Sequence, residues 1–247
     1  MRNRYNFAVV LSLIVLVCCA ALISGQKVNA AGEGKITGTV KLDGTAPHMR
    51  GIDMSKDPYC VKANPTPVHL QNVEVGSGAG LENVVLYISD WSGSAEVTTA
   101  VPVFDQKNCM YVPHVLAMDV GETFKVVTSD QTAHNIHPLP NPMINVGWNQ
   151  SQPPGAPPVE KSWKAPEFIP VQCNIHPWMH GYFAVVKGPF ATTDENGNYT
   201  INNVPPGNYT VTAWHEPDPA LPQNTQAQKV TVAAGGSASA NFTFKAK

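Results

Sequence analysis

The chain is poor in charge. Of its 247 residues only 14% are Asp, Glu, Lys or Arg, with 16 bases against 18 acids. That leaves no basic excess to neutralise phosphates, which excludes a nucleic-acid footprint. Long amphipathic stretches are also few, and their scarcity argues against a helical fold. What the chain does have is turn chemistry: 22 Pro and 19 Gly, placed between Val- and Thr-rich runs. This combination predicts an all-β chain. With 43% hydrophobic residues it can build a core, and its length suits one large or two small domains.

The first 31 residues read as a signal peptide. Arg2 and Arg4 precede an apolar run over 7–23, and the small-residue exit Val28-Asn29-Ala30 follows. The run is also about long enough to be an uncleaved anchor; the small residues favour cleavage, which leaves no membrane span. Cys18 and Cys19 lie inside the apolar run without a lipoprotein box. Cleavage removes Arg2, Arg4 and Lys27 and no acid, leaving 13 bases against 18 acids and a net charge of −5. The expected location is periplasmic or extracellular. Three cysteines remain there, Cys60, Cys109 and Cys173: in an oxidising compartment, a pair and one special thiol.

Along the rest of the chain, short strands alternate with turns. Residues 35–42 alternate as a strand that ends at Asp43-Gly44. Residues 46–70 contain four prolines and read as loop, and 83–88 as a buried strand. Further strands are expected at 115–120, 122–129, 168–172 and 181–187. Residues 138–166 form a long Pro-rich excursion of the sort that is often functional, able to cover or reshape a nearby site. From 189 onward, strands recur between Asp194-Glu195-Asn196-Gly197-Asn198, Pro205-Pro206-Gly207-Asn208 and Ala234-Gly235-Gly236. Such spacing predicts a small β-sandwich.

The segment Cys173-Asn174-Ile175-His176-Pro177-Trp178-Met179 places a thiol, an imidazole and a thioether in one tight loop between strands. Upstream, Ala133-His134-Asn135-Ile136-His137 follows another strand and offers a second imidazole from His134 or His137. Thiolate, two imidazoles and thioether form a soft set that suits copper, with Cys and two His in a plane and Met179 as a weak axial ligand. Taken singly, each residue has a plainer reading: a buried thiol, a core histidine, a packing methionine. Their coincidence in seven residues is what favours the metal.

Cys-x-x-His-Pro-x-Met with an upstream His-Asn-Ile-His resembles the blue copper cupredoxins of the amicyanin and plastocyanin kind. The resemblance covers about 95–188 and implies a Greek-key β-sandwich. It assigns His134, Cys173, His176 and Met179 to copper, and gives Asn135 a supporting role beside the metal. His137 and His180 flank these positions and could replace one of them. A binuclear centre would need a second cysteine in the loop, and there is none. The whole chain is also similar to exported methylamine-utilisation-like proteins. In those, a cupredoxin unit precedes a small transthyretin- or carboxypeptidase-regulatory-like sandwich, here 189–247, matched by Gly197-Asn198-Tyr199-Thr200-Ile201 and Val204-Pro205-Pro206-Gly207-Asn208-Tyr209. Residues 32–94 could complete either sandwich. In the second module an early strand precedes the turn motifs, so 35–42 could belong there, with the copper unit inserted.

With Cys173 given to copper, Cys60 and Cys109 are expected to pair. Two separate thiols, or a metal site with His114, remain open. The expected function is one-electron transfer to a dehydrogenase, cytochrome or oxidase, with His176 near the surface as the exit and Pro177 and Trp178 as a docking patch. Copper carriage or sensing is the competitor, with His137, His180 and Met143 as helpers. An enzyme is not expected, because 8 dispersed histidines are too few for further copper centres. Trp148 and Trp163 read as core or interface rings. His215, beside Glu216, reads as a surface or interdomain histidine, with a second metal as the sharper alternative.

Overall fold

A computed structural model describes residues 32–94 and 100–247. The signal segment lies outside the described residues, as do positions 95–99. The chain is all-β, in two sandwiches, and the strands fall largely where alternation and turn residues place them.

The first sandwich holds the Cys-His-Met loop. One of its sheets runs in the order Val115–Asp119, His180–Val186, Glu167–Gln172, His134–Pro138, Gln150–Gln152. The other runs Met110–Val112, Val103–Lys107, Phe124–Thr128, Val159–Lys161. Phe104, Phe124 and Phe183 fill the space between them, with ring centroids 4.8 Å apart for Phe104–Phe183 and for Phe124–Phe183. Burying such aromatic area is the main stabilising term of a sandwich this size. The 138–166 excursion supplies an edge strand to each sheet, pairing with His134–Pro138 and with Phe124–Thr128.

The second sandwich is assembled from distant parts of the chain. Strand Gly34–Asp43 runs antiparallel to Asn198–Val204 on one side and parallel to Ser237–Ser239 and Phe242–Lys245 on the other. The facing sheet runs Phe190–Thr192, Val85–Ile88, Gly207–Trp214, Thr225–Val232. Ile36, Val40 and Leu42 point inward by the two-residue period and meet Leu86, Ile201, Val211 and Phe244 in one core. The first sandwich therefore leaves the second after Val85–Ile88 and returns at Phe190–Thr192.

Between Gly34–Asp43 and Val85–Ile88 the chain makes a second excursion. The stretch read as loop contains a short helix, Pro58–Ala63. Asp57 caps it, accepting from the backbone N–H of Tyr59 and of Cys60, and proline follows at the first helical position. Asp-Pro at that spacing is a helix-start signal. Cys60 on this helix is joined to Cys109 by a disulfide with Cα atoms 5.6 Å apart. Met54, Cys60 and Cys109 lie in the core of the first sandwich, so the excursion is part of that unit.

Two measurements follow from this packing. A Cβ added at Gly38 would lie 1.8 Å from the Ala240 carbonyl oxygen, a backbone atom with little room to yield. Gly38→Ala is therefore expected to cost about 1–3 kcal/mol in urea unfolding, and an unchanged midpoint would contradict the close approach. The protein without residues 1–31, denatured with no reductant, is expected to show one free thiol; three would rule out the Cys60–Cys109 bond.

Candidate metal centre

The loop 173–179 closes on itself. Cys173 N–H donates to the Met179 carbonyl at 3.1 Å, and Met179 N–H donates to the His176 carbonyl at 2.9 Å. The His176 N–H points at Cys173 Sγ, 3.4 Å away. Gln172 and His180 form the last pair of the flanking strands, so the ladder itself holds the loop's ends together. Cys173, His176 and Met179 are all buried.

His134 opens the strand His134–Pro138 and is wholly buried. Its Nδ1 lies 2.9 Å from His176 Nδ1. Ligand atoms of His134, Cys173 and His176 fall within 4.8 Å of one another. His137 turns elsewhere, with Nδ1 3.1 Å from Asn174 Oδ1, and stays out of this group. His180 also stays out, gathering instead with His114 and Glu216. Asn135 lies beside the loop: its Oδ1 accepts from Asn174 N–H at 2.6 Å and sits 3.4 Å from Cys173 Sγ. Its amide donates to Asn149 Oδ1 at 2.7 Å, which ties the 138–166 excursion to the site's support.

Two residues that the sequence reading missed complete the arrangement. Asp130 Oδ2 lies 2.8 Å from His134 Nε2 and also accepts from Cys109 N–H, while its Oδ1 accepts from Asn108 N–H and from the Tyr59 hydroxyl. Asp57 Oδ2 lies 3.0 Å from His176 Nε2 and accepts from the Thr132 hydroxyl. Burial works to raise both carboxyls, but hydrogen bonds outweigh it; Asp57 is held down at about 2, and Asp130 is also lowered. Ionised carboxylates only accept, so each histidine must carry its proton on Nε2. That leaves two bare Nδ1 lone pairs facing each other at 2.9 Å, beside a cysteine sulfur. Such an arrangement calls for a cation between them.

Without a metal, a proton takes that part. Burial disfavours charge on His134, yet hydrogen bonding to Asp130 and Cys173 outweighs it and holds the ring up at about 9. Burial likewise pushes the Cys173 thiol up, but His134 and His176, with backbone hydrogen bonds, bring it down to about 5. A thiolate, two imidazoles aimed inward through Nδ1 and a buried thioether in the same loop fit a soft, redox-active cation. Copper satisfies that donor set.

Three expectations are corrected. His176 is not near the surface: it is 3% exposed, with its far edge against Asp57 and the start of the Pro58–Ala63 helix. Trp178 is not a surface patch either. It is buried, donates Nε1–H to the Cys109 carbonyl at 3.0 Å, and lies 5.0 Å from the His176 ring. The exposed apolar residues of the loop are Ile175 and Pro177. His215 is buried rather than on the surface, packed near Phe244, and Met143 is 93% exposed.

Residues 186–245 match the family profile of the carboxypeptidase regulatory-like domain. No curated protein matches the chain. Among solved structures, it is similar to a copper-containing nitrite reductase (NirK) from Thermus scotoductus SA-01, at 17% identity and a TM-score of 0.33, over 39% of this chain and 25% of that one. It is also similar to an amicyanin variant in the Cu(I) form, at 21% identity and a TM-score of 0.31, over 41% of this chain and 98% of that one. A second, oxidised amicyanin variant aligns at 19% identity and a TM-score of 0.32 over the same shares. The match spans a quarter of the nitrite reductase chain. At these scores the chemistry of the site rests on its own donor atoms.

The ionisation of Cys173 is directly measurable. In the metal-free protein, ultraviolet thiolate absorbance is expected to appear with a midpoint near pH 5, far below the ordinary thiol value of 9.0. A midpoint at or above the ordinary value would show that the two imidazoles do not act on the sulfur.

Proposed function

We propose that this chain is an exported copper protein with one mononuclear site, held by His134, Cys173 and His176 with Met179 as the weak fourth ligand. The observation that carries this reading is the pair of inward Nδ1 atoms at 2.9 Å, with the Cys173 sulfur beside them and a carboxylate behind each ring. Bound copper would supply a one-electron couple. The protein's own residues fix the donors: Asp130 and Asp57 hold the ring orientations, and the 173–179 turn fixes the sulfur. Donors held this rigidly leave little to rearrange between oxidation states, which is the requirement for fast electron transfer. Electron carriage to a redox protein is therefore the first function, and a catalytic role is not part of it.

A second reading, copper carriage or sensing, has one observation in its favour. Asp57 and its helix cover the His176 edge that would otherwise face a partner. The Cys60–Cys109 disulfide supports export, since such bonds persist in oxidising compartments. Among the described residues no helix is long and apolar enough to cross a membrane.

Copper titration of the purified protein decides between them. An intense visible thiolate-to-copper band with small hyperfine splitting in spin resonance is expected for the carrier, and Cys173→Ser should abolish the band. A pale, ordinary copper spectrum would move the assignment to carriage. Colour that persists in Cys173→Ser would remove Cys173 from the site.

A further inference from the structure

A second cluster of metal-ligating side chains lies on the seam between the sandwiches. His114 comes from the turn between strands Met110–Val112 and Val115–Asp119, and His180 opens strand His180–Val186, both in the first sandwich. Glu216 comes from the second sandwich, two residues beyond strand Gly207–Trp214. Ligand atoms of the three lie within 4.8 Å of one another. His114 and Glu216 are buried, at 4% and 2% exposure, and His180 is half-buried.

The hydrogen bonding around the cluster is incomplete. His114 Nε2 lies 2.6 Å from Glu216 Oε1, but His114 Nδ1 is buried without a partner. His180 Nδ1 faces the Trp178 carbonyl at 3.1 Å, so its proton sits there and Nε2 presents a lone pair. That Nε2 is also buried without a partner. Two orphaned ring nitrogens beside a buried carboxylate are costly as they stand, because a buried polar atom without a partner forfeits its hydration. Backbone packing holds the cluster in place. Tyr182 N–H donates to the His114 carbonyl at 3.0 Å, and a Cβ at Gly181 would lie 2.5 Å from that same oxygen. Around it, the Trp214 and Phe168 rings stack at 4.0 Å across the seam.

We propose that His114, His180 and Glu216 form a second metal site, for zinc or a similar borderline divalent cation, that ties the two sandwiches together. Two imidazoles and one carboxylate match the three-ligand sets that zinc takes with a fourth position open. A cation there would engage the lone pair of His180 Nε2, one nitrogen of His114 and the Glu216 carboxylate, giving the orphaned His180 Nε2 a partner. Its ligands come from both units, so binding would favour the docked arrangement over separated sandwiches. Its donor atoms are separate from those of the Cys173 cluster.

The test is zinc stoichiometry by equilibrium dialysis and elemental analysis of the full protein beside two variants, Glu216→Gln and His180→Asn. Glu216→Gln keeps the shape and a hydrogen bond to His114, and His180 is only half-buried; cooperative urea unfolding verifies that each variant is folded. The wild-type protein is expected to bind one equivalent more zinc than either variant, or to bind that equivalent at least ~10-fold more tightly, and zinc is expected to raise its melting temperature more than theirs. Because the readout is a difference between proteins that share the Cys173 cluster, zinc taken up there cancels. Equal stoichiometry and affinity in wild type and both variants would overturn the proposal. So would loss in only one variant, since all three ligands would then not be needed.

Discussion

Two carboxylates set the chemistry of the first sandwich. Asp130 and Asp57 each accept several hydrogen bonds and stand behind an imidazole, so each ring keeps its proton outward and its lone pair inward. The inward face is then two nitrogens at 2.9 Å and a sulfur drawn toward the thiolate form. Reversing either ring would cost its carboxylate the imidazole partner, with Asp130 buried and Asp57 partly so. The tautomers and the demand for a cation follow from these two contacts, and the imidazoles they orient are what draw the thiol down.

The carboxylates are in turn anchored by elements that have other duties. Asp57 caps the Pro58–Ala63 helix with one oxygen and holds His176 with the other. Three residues on, Cys60 ties that helix to Cys109, whose own N–H donates to Asp130. Tyr59, between them, reaches Asp130 through its hydroxyl. Cap, disulfide and both carboxylates thus form one connected support, and a change in any of them is transmitted to the rings. The same support explains the burial of His176, because the helix that brings Asp57 to the ring also lies over it.

The second sandwich serves the first as a frame. Its strands Gly34–Asp43 and Val85–Ile88 flank the excursion that carries the Pro58–Ala63 helix, and Val85–Ile88 and Phe190–Thr192 flank the rest of the first sandwich, so every connection to the inserted unit is anchored in one core. The seam is apolar, with Val85, Val115, Ala184, Val186 and Trp214 buried in it. Into this seam the second sandwich places one carboxylate, Glu216, against two histidines of the first. A polar group in an apolar interface needs a partner, and the 2.6 Å His114–Glu216 contact supplies one across the seam.

By itself, the sequence determined what depends on near neighbours. The strands and turns were readable because side-chain alternation and Gly, Pro and Asn positions act over a few residues. The grouping of Cys173, His176 and Met179 was readable because all three sit in one short loop whose ends are strands. The helix start at Asp57-Pro58 was equally local, and the three other prolines around it hid it. Only the tertiary structure decided which distant groups stand behind the rings. Asp57 lies 119 residues from His176, and Glu216 lies 102 from His114, with no periodicity linking either pair. Nor could spacing alone show that a loop histidine would be covered, or that Glu216 rather than His215 would reach across the seam. Those outcomes depend on which surfaces two sandwiches and one disulfide-tethered helix bury against each other. That is a property of the packed whole and has no local signature.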